Sequence, residues 1–150
     1  MDIFFKLSLA LVFGAILGLE RIFEHRPAGM RTYSLVSMGS ALFIIISEIV
    51  SQHYISLGMN PDPLKVASNI IVGIGFLGTG MIIFKDSTLI GLTTAAGLWL
   101  AAGIGMAIGF GMYGAAFLGT IFTLFIFTIL YYIETWLLKL HDGSTDLNKQ

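Results

Sequence analysis

Five apolar runs divide this chain, Ile3–Leu19, Thr32–Ser51, Val66–Phe84, Gly91–Gly109 and Met112–Ile133, and only short breaks separate them. A helix rises 1.5 Å per residue, so each run is about long enough to cross a hydrocarbon layer of roughly 30 Å. The predicted fold is therefore an all-α membrane protein with about five transmembrane helices, in a membrane domain spanning 1–137 and a short polar tail over 138–150. Composition agrees: 56% hydrophobic and 11% charged residues in a 150-residue chain give more apolar surface than one soluble core can bury. The first run is the shortest, and Phe4, Phe5 and a snorkelling Lys6 are expected to anchor it at an interface. It lacks a basic start and a small-residue cleavage site, so it reads as a retained span and not a signal peptide.

The breaks carry turn residues and charge: Arg26-Pro27-Ala28-Gly29, then Gly58 with Asn60, Pro61, Asp62 and Pro63, then Lys85-Asp86-Ser87. The break at Phe110 and Gly111 is so short that the last two spans should form an antiparallel hairpin. Orientation follows from the excess of Lys and Arg on cytoplasmic loops. With the N-terminus outside, Arg21, Arg26, Arg31, Lys85, Lys139 and Lys149 fall inside, against Lys6 and Lys65 outside. The count favours N-out and C-in. Tyr131, Tyr132 and Trp136 then make an inner aromatic belt, with Tyr54 and Tyr113 near the outer face.

Several functions are excluded by what the chain lacks. A net charge of -1 offers no basic stripe for nucleic acid. Without cysteine there is no thiolate chemistry. No Ser/His/Asp or HExxH arrangement is present, and His25, His53 and His141 are scattered, so neither an enzyme nor a bound cofactor is expected. Gly73, Gly75 and Gly78 match GxGxxG, yet they sit in mid-span without the strand, helix opening and acidic residue that dinucleotide binding needs. At 100° per residue Gly73 and Gly80 lie on one side of span three, with Gly75 and Gly78 nearly opposite. Small residues on two faces admit two close neighbours, so span three is expected to be the central helix. An unwound span three lining a substrate site is the alternative.

Ala10, Gly14 and Gly18 in span one, and Gly97, Ala101, Gly105 and Gly109 in span four, form single-faced stripes for a neighbouring helix, within the chain or in a partner. Two sets of polar residues call for a reason. Glu48 and Asn69 share a depth about one turn inside the outer ends of spans two and three, near Asp62 and Lys65. A carboxylate there should face a partner or water. Asn69 can donate to Glu48, and Glu48 and Asp62 are weak candidates for holding a hard cation. On the inner side lies the loop of Glu20, Arg21, Arg26, Pro27, Gly29, Arg31 and Thr32, in which a proline and a glycine fix the separation of two arginines. Thr32 is placed to cap span two. Glu20 is expected to pair with Arg31, leaving Arg21 or Arg26 for an anion, a headgroup or an acidic partner surface. Thr93 and Thr94 add hydroxyls at similar depth.

These pieces resemble the N-terminal membrane domain of the MgtC/SapB family of bacterial inner-membrane proteins. The resemblance rests on Gly18-Leu-Glu20-Arg21, Arg26-Pro-Ala-Gly-Met-Arg31-Thr32, Gly39-Ser-Ala-Leu-Phe43, Asp62-Pro63, Val72 through Gly80 and Gly91 through Trp99, in order over about the first three-quarters of the chain. Two positions depart from the family pattern: Tyr33 stands where histidine is usual, and Asn69 where glutamine is usual. Longer members carry a soluble domain after the fifth span, which this sequence is expected to lack. The resemblance implies a multi-pass inner-membrane protein linked to growth at low magnesium and, in pathogens, to survival inside host cells. It implies two possible roles. One is a regulator that self-associates in the bilayer and binds another membrane complex, such as the proton-translocating ATP synthase. The other is a small oligomeric transporter of magnesium or another ion.

Overall fold

The computed structural model describes residues 2–85 and 87–147. Helices α1 (Asp2–Phe23), α2 (Met30–Ser56), α3 (Leu64–Met81) and α4 (Leu92–Gly109) follow the first four apolar runs. The fifth run is α5 (Tyr113–Phe125), which passes through a π-helical turn (Ile126–Leu130) into α6 (Tyr131–Leu147). Five helical stretches are long and apolar enough to cross a membrane, the last of them Tyr113–Leu140. α6 thus continues into the segment read as a tail, while Asp86 and Lys149 lie outside the described residues.

Backbone hydrogen bonding explains the sharp ends. At the end of α1 the Arg26 N–H donates to Arg21 O at 2.9 Å and the His25 N–H to Ile22 O at 3.0 Å, with His25 left-handed at φ 51°. That is a Schellman closure made without glycine. The same closure ends α4: Met112 N–H reaches Ala107 O at 2.8 Å and Gly111 N–H reaches Ile108 O at 2.9 Å, with Gly111 at φ 76°. The expected α4–α5 hairpin is formed by this turn.

Between α3 and α4 the chain makes a two-stranded hairpin, β1 (Ile83–Lys85) with β2 (Thr88–Ile90), antiparallel with Ile83 opposite Ile90. Span three was expected to stay helical to Phe84. It stops at Met81 because Ile82, Ile83 and Phe84 are β-branched or aromatic and have a matching Thr-Leu-Ile partner a turn away. Gly91 then starts α4 at φ 95°, with its Cα so close to Met81 O that no Cβ fits.

The central helix is α4, not α3 as the glycine pattern suggested. Half of the α4 span is buried, against 6% of the α3 span. The buried positions of α4, from Thr94 round to Gly109, cover about half its circumference at 100° per residue, so α1, α2, α3 and α5 can all close on it. Gly105 sits against the Ser37 backbone and Gly109 against Ile44, where a Cβ would stand 2.7 Å from the Ile44 Cβ. On α1, a Cβ at Gly14 would lie 2.6 Å from Tyr33 O, and one at Gly18 2.5 Å from the Met30 Cα. The stripes of spans one and four are therefore consumed within the chain.

In α3 the small residues find no such use. A Cβ at Gly73, Gly75 or Gly80 would meet nothing within 4 Å, and Gly78 only approaches the Ala95 Cβ at 3.7 Å. Small residues permit close approach without supplying attraction, and α4 supplies it instead with larger buried side chains such as Leu98, Ile104 and Ile108 beside its glycines. With Leu17, Tyr33, Ala101 and Phe127 these form one core.

Candidate functional site

Polar side chains gather at the two ends of the bundle, and each gathering is built on a helix end. At the loop end, the close approach of Gly18 to Met30 fixes α1 against the start of α2. That contact carries the helix back to Met30, with Gly29 as its N-cap and no side-chain cap. Thr32 is consequently inside the first turn and is not the capping residue. Gly29 also packs on the Ile22 side chain, and Ala28 is held at φ 63°, so the whole loop is set by local backbone geometry.

Arg21 is 3% exposed, an extreme value for arginine. Its Nε donates to the Glu20 carboxylate, and its guanidinium lies 3.7 Å from the centroid of the Phe127 ring. A planar, weakly hydrated cation is suited to such a stacked and paired position. Phe127 belongs to the π turn, whose extra residue changes the angular register of the side chains that follow. The Phe127 ring and the Tyr33 hydroxyl both close on Gly97, and Tyr33 Oη donates to the Thr94 carbonyl at 3.2 Å. Arg21, Glu20, Tyr33, Thr94, Gly97 and Phe127 thus form one packed unit.

The loop arginines beyond it are arranged differently from expectation. Glu20 pairs with its neighbour Arg21, not with Arg31, because Arg21 is turned inward onto Phe127 where a carboxylate is required beside it. Arg26 faces the Tyr131 ring at 5.6 Å. Arg31 is exposed and has no ion pair among the described residues. It borders a surface hollow with Ile22, Ala28, Gly29, Met30 and Thr32. Thr93 is exposed, one residue from the buried Thr94.

At the opposite end Lys6 does not snorkel away. Its Nζ donates to Gly109 O, the last carbonyl of α4, at 3.0 Å, and lies 3.5 Å from Asp2 and 3.9 Å from Glu48. A cation at a helix C-terminus is favoured by the unpaired carbonyls there. Glu48 is therefore a partner of Lys6 and not of Asn69. Asp62 instead accepts from the Leu64 N–H at 2.9 Å, at the start of α3. The two candidate metal ligands are held in separate roles, and no group of three or more His, Cys, Asp or Glu residues gathers among the described residues. Asn69 borders a cleft of about 600 Å³ between α2 and α3, together with Gly39, Phe43, Gly73 and Leu77.

Sequence reasoning missed Phe127 and the site of Lys6. Nothing local marks a π turn in an apolar run. The lysine was visible, but its partner lies 103 residues away.

The sequence model of the MgtC family matches residues 7–136. Among characterised and uncharacterised relatives, "Putative magnesium transporter YhiD" of Escherichia coli K12 is 37% identical over 125 residues, 83% of this chain and 58% of that protein. "Protein MgtC" of Brucella abortus is 42% identical over 90 residues, 60% of this chain and 35% of that protein. An uncharacterised Haemophilus influenzae protein is 40% identical over 97 residues, 63% of this chain and 41% of its own length. The chain thus spans less than two-thirds of the length of each of these relatives. No solved structure matches.

Proposed function

The chain belongs to the MgtC family of multi-pass bacterial membrane proteins, and on that premise we propose that it is a non-enzymatic regulator that docks onto another membrane complex through the Arg26–Arg31 loop. The observation that carries this reading is a contrast within the loop. Its backbone is held by a Schellman closure and a glycine contact and its Arg26 lies over the Tyr131 ring, yet Arg31 is left exposed with no ion pair among the described residues. The backbone that carries this cation is already set, so binding an acidic partner surface has only the arginine side chain left to order. The reading places the protein in the inner membrane, N-out and C-in, with the loop in the cytoplasm and the proton-translocating ATP synthase as the candidate complex. The small-residue stripes of α1 and α4 have no part in it, because they are occupied by the chain's own helices.

Affinity capture of the tagged protein from native membranes at low magnesium tests the proposal. One complex should be enriched by the natural chain and depleted at least fivefold by Arg31→Ala, with equal membrane insertion. Equal enrichment by both would remove the loop from the contact.

A transport reading is favoured by one observation, the α2–α3 cleft with the Asn69 amide on its wall, and by the printed name of the E. coli relative. It predicts magnesium flux in proteoliposomes that falls with Asn69→Ala. Flux that is absent, or insensitive to this change, rules the cleft out as a pathway.

A further inference from the structure

The β1–β2 hairpin is apolar on both of its faces. In its register Ile83 stands opposite Ile90 and Phe84 opposite Leu89, and successive pairs point to opposite sides of the ribbon. One face therefore presents Ile83 and Ile90, the other Phe84 and Leu89. These four residues are between 44% and 71% exposed, so the bundle covers neither face.

The edges of the ribbon impose the opposite demand. Each strand of a two-stranded sheet bonds to its partner on one side only and turns its remaining N–H and C=O groups outward. Unpaired backbone groups are not stable in hydrocarbon, where water cannot reach them. Water thus suits the edges and not the faces, and acyl chains suit the faces and not the edges. The layer between, where headgroups and water meet the upper acyl chains, satisfies both.

Helix lengths bring the hairpin to that depth. α3 and α4 each have 18 residues, about 27 Å of helix against a hydrocarbon core of roughly 30 Å. Strands of three residues add roughly 10 Å at about 3.3 Å per residue. The headgroup layer adds roughly 5–7 Å on each side, so a hairpin continuing from these helices ends near its outer limit with its apolar pairs inside it. Gly91, seated against the Met81 carbonyl, joins the start of α4 to the end of α3, so the hairpin springs from both helix ends. The exposed apolar surface of the α3 span, which includes Val72 and Phe76, leads along the chain into Ile83 and Phe84. We propose that β1–β2 is an interfacial lipid anchor, with Ile83, Phe84, Leu89 and Ile90 against lipid on both faces and the ribbon edges bonded to headgroups and water. Alternation of the five spans places it on the same side of the membrane as the Arg26–Arg31 loop.

The chain has no cysteine, so a fluorophore can be attached at one introduced thiol. Ile83→Cys, Phe84→Cys, Leu89→Cys and Ile90→Cys variants would be labelled and reconstituted into phosphatidylcholine/phosphatidylglycerol vesicles. Ser87→Cys at the turn and Phe76→Cys within the α3 span serve as references. Lipids spin-labelled just below the headgroup should quench the four hairpin positions at least threefold more than Ser87→Cys. Aqueous iodide should quench Ser87→Cys at least threefold more than those four. Phe76→Cys, quenched by lipids spin-labelled near the chain ends, reports that the protein is inserted. Iodide quenching at the four positions equal to that at Ser87→Cys would put the hairpin in water and overturn the proposal. Resistance of the four to both quenchers would mean that protein covers the ribbon, and lipid quenching of one face alone would mean that it lies flat on the surface; either result overturns the proposal as well.

Discussion

Arg21 shows how much one side chain can commit a structure to. Its guanidinium is buried between the Glu20 carboxylate and the Phe127 ring, so removing either charged partner strands the other in an apolar setting. Arg21→Ala should lower stability by about 3–5 kcal/mol, the usual cost of orphaning a buried charge, read as a fall in melting temperature of the purified protein. Arg21→Lys keeps the charge but loses the planar stack, and should be intermediate. A substitution unaffected by burial would show that the pair is solvated. The glycines make a second test at this scale. Gly105→Ala drives a methyl into the Ser37 backbone and should cost about 1–3 kcal/mol, whereas Gly75→Ala enters open space and should stay within about 0.5 kcal/mol. Equal effects would contradict the placement of α4 at the centre. Ser37 is itself of interest: its hydroxyl is buried at this crossing without a hydrogen-bond partner among the described residues.

At the scale of elements, side chains that close helix ends add to what the buried helix faces hold. Lys6 on α1 closes the last carbonyl of α4 and reaches Glu48 of α2. Lys6→Met should destabilise the protein by about 1–2 kcal/mol, mostly through the lost hydrogen bond, because Glu48 is 49% exposed and its attraction is screened. Glu48→Gln should accordingly cost much less, and the reverse order would show that the ion pair dominates. How much of this was legible in the sequence depends on the range of the signal. The five spans, the pinned Arg26–Gly29 loop and the Phe110–Gly111 hairpin are written in local hydrophobicity and in Gly and Pro, whose backbone preferences act over a few residues. The rank of the helices was not legible. The GxGxxG of α3 and the four-residue stripe of α4 both allow close packing, and only the surrounding Leu98, Ile104 and Ile108 decide where it happens. Thr32 looked like a cap because a hydroxyl before an apolar run usually is one, until the Gly18 contact pulled α2 back to Met30. The small β1–β2 hairpin was hidden because three-residue strands beside an apolar helix look like more helix.

The whole molecule is a bundle organised around α4, with a charged latch at one end and, at the other, a buried arginine unit beneath a stiff loop. The loop differs from the rest in leaving Arg31 exposed, with no ion pair among the described residues. The most direct test of the docking account is a photo-activated crosslinker at position 31, compared with one at Leu35, which is 64% exposed one turn further along α2. The account predicts one discrete protein adduct from position 31 in native membranes at low magnesium, with little from position 35. Adducts of equal strength from both positions, or no protein adduct from position 31, would contradict it.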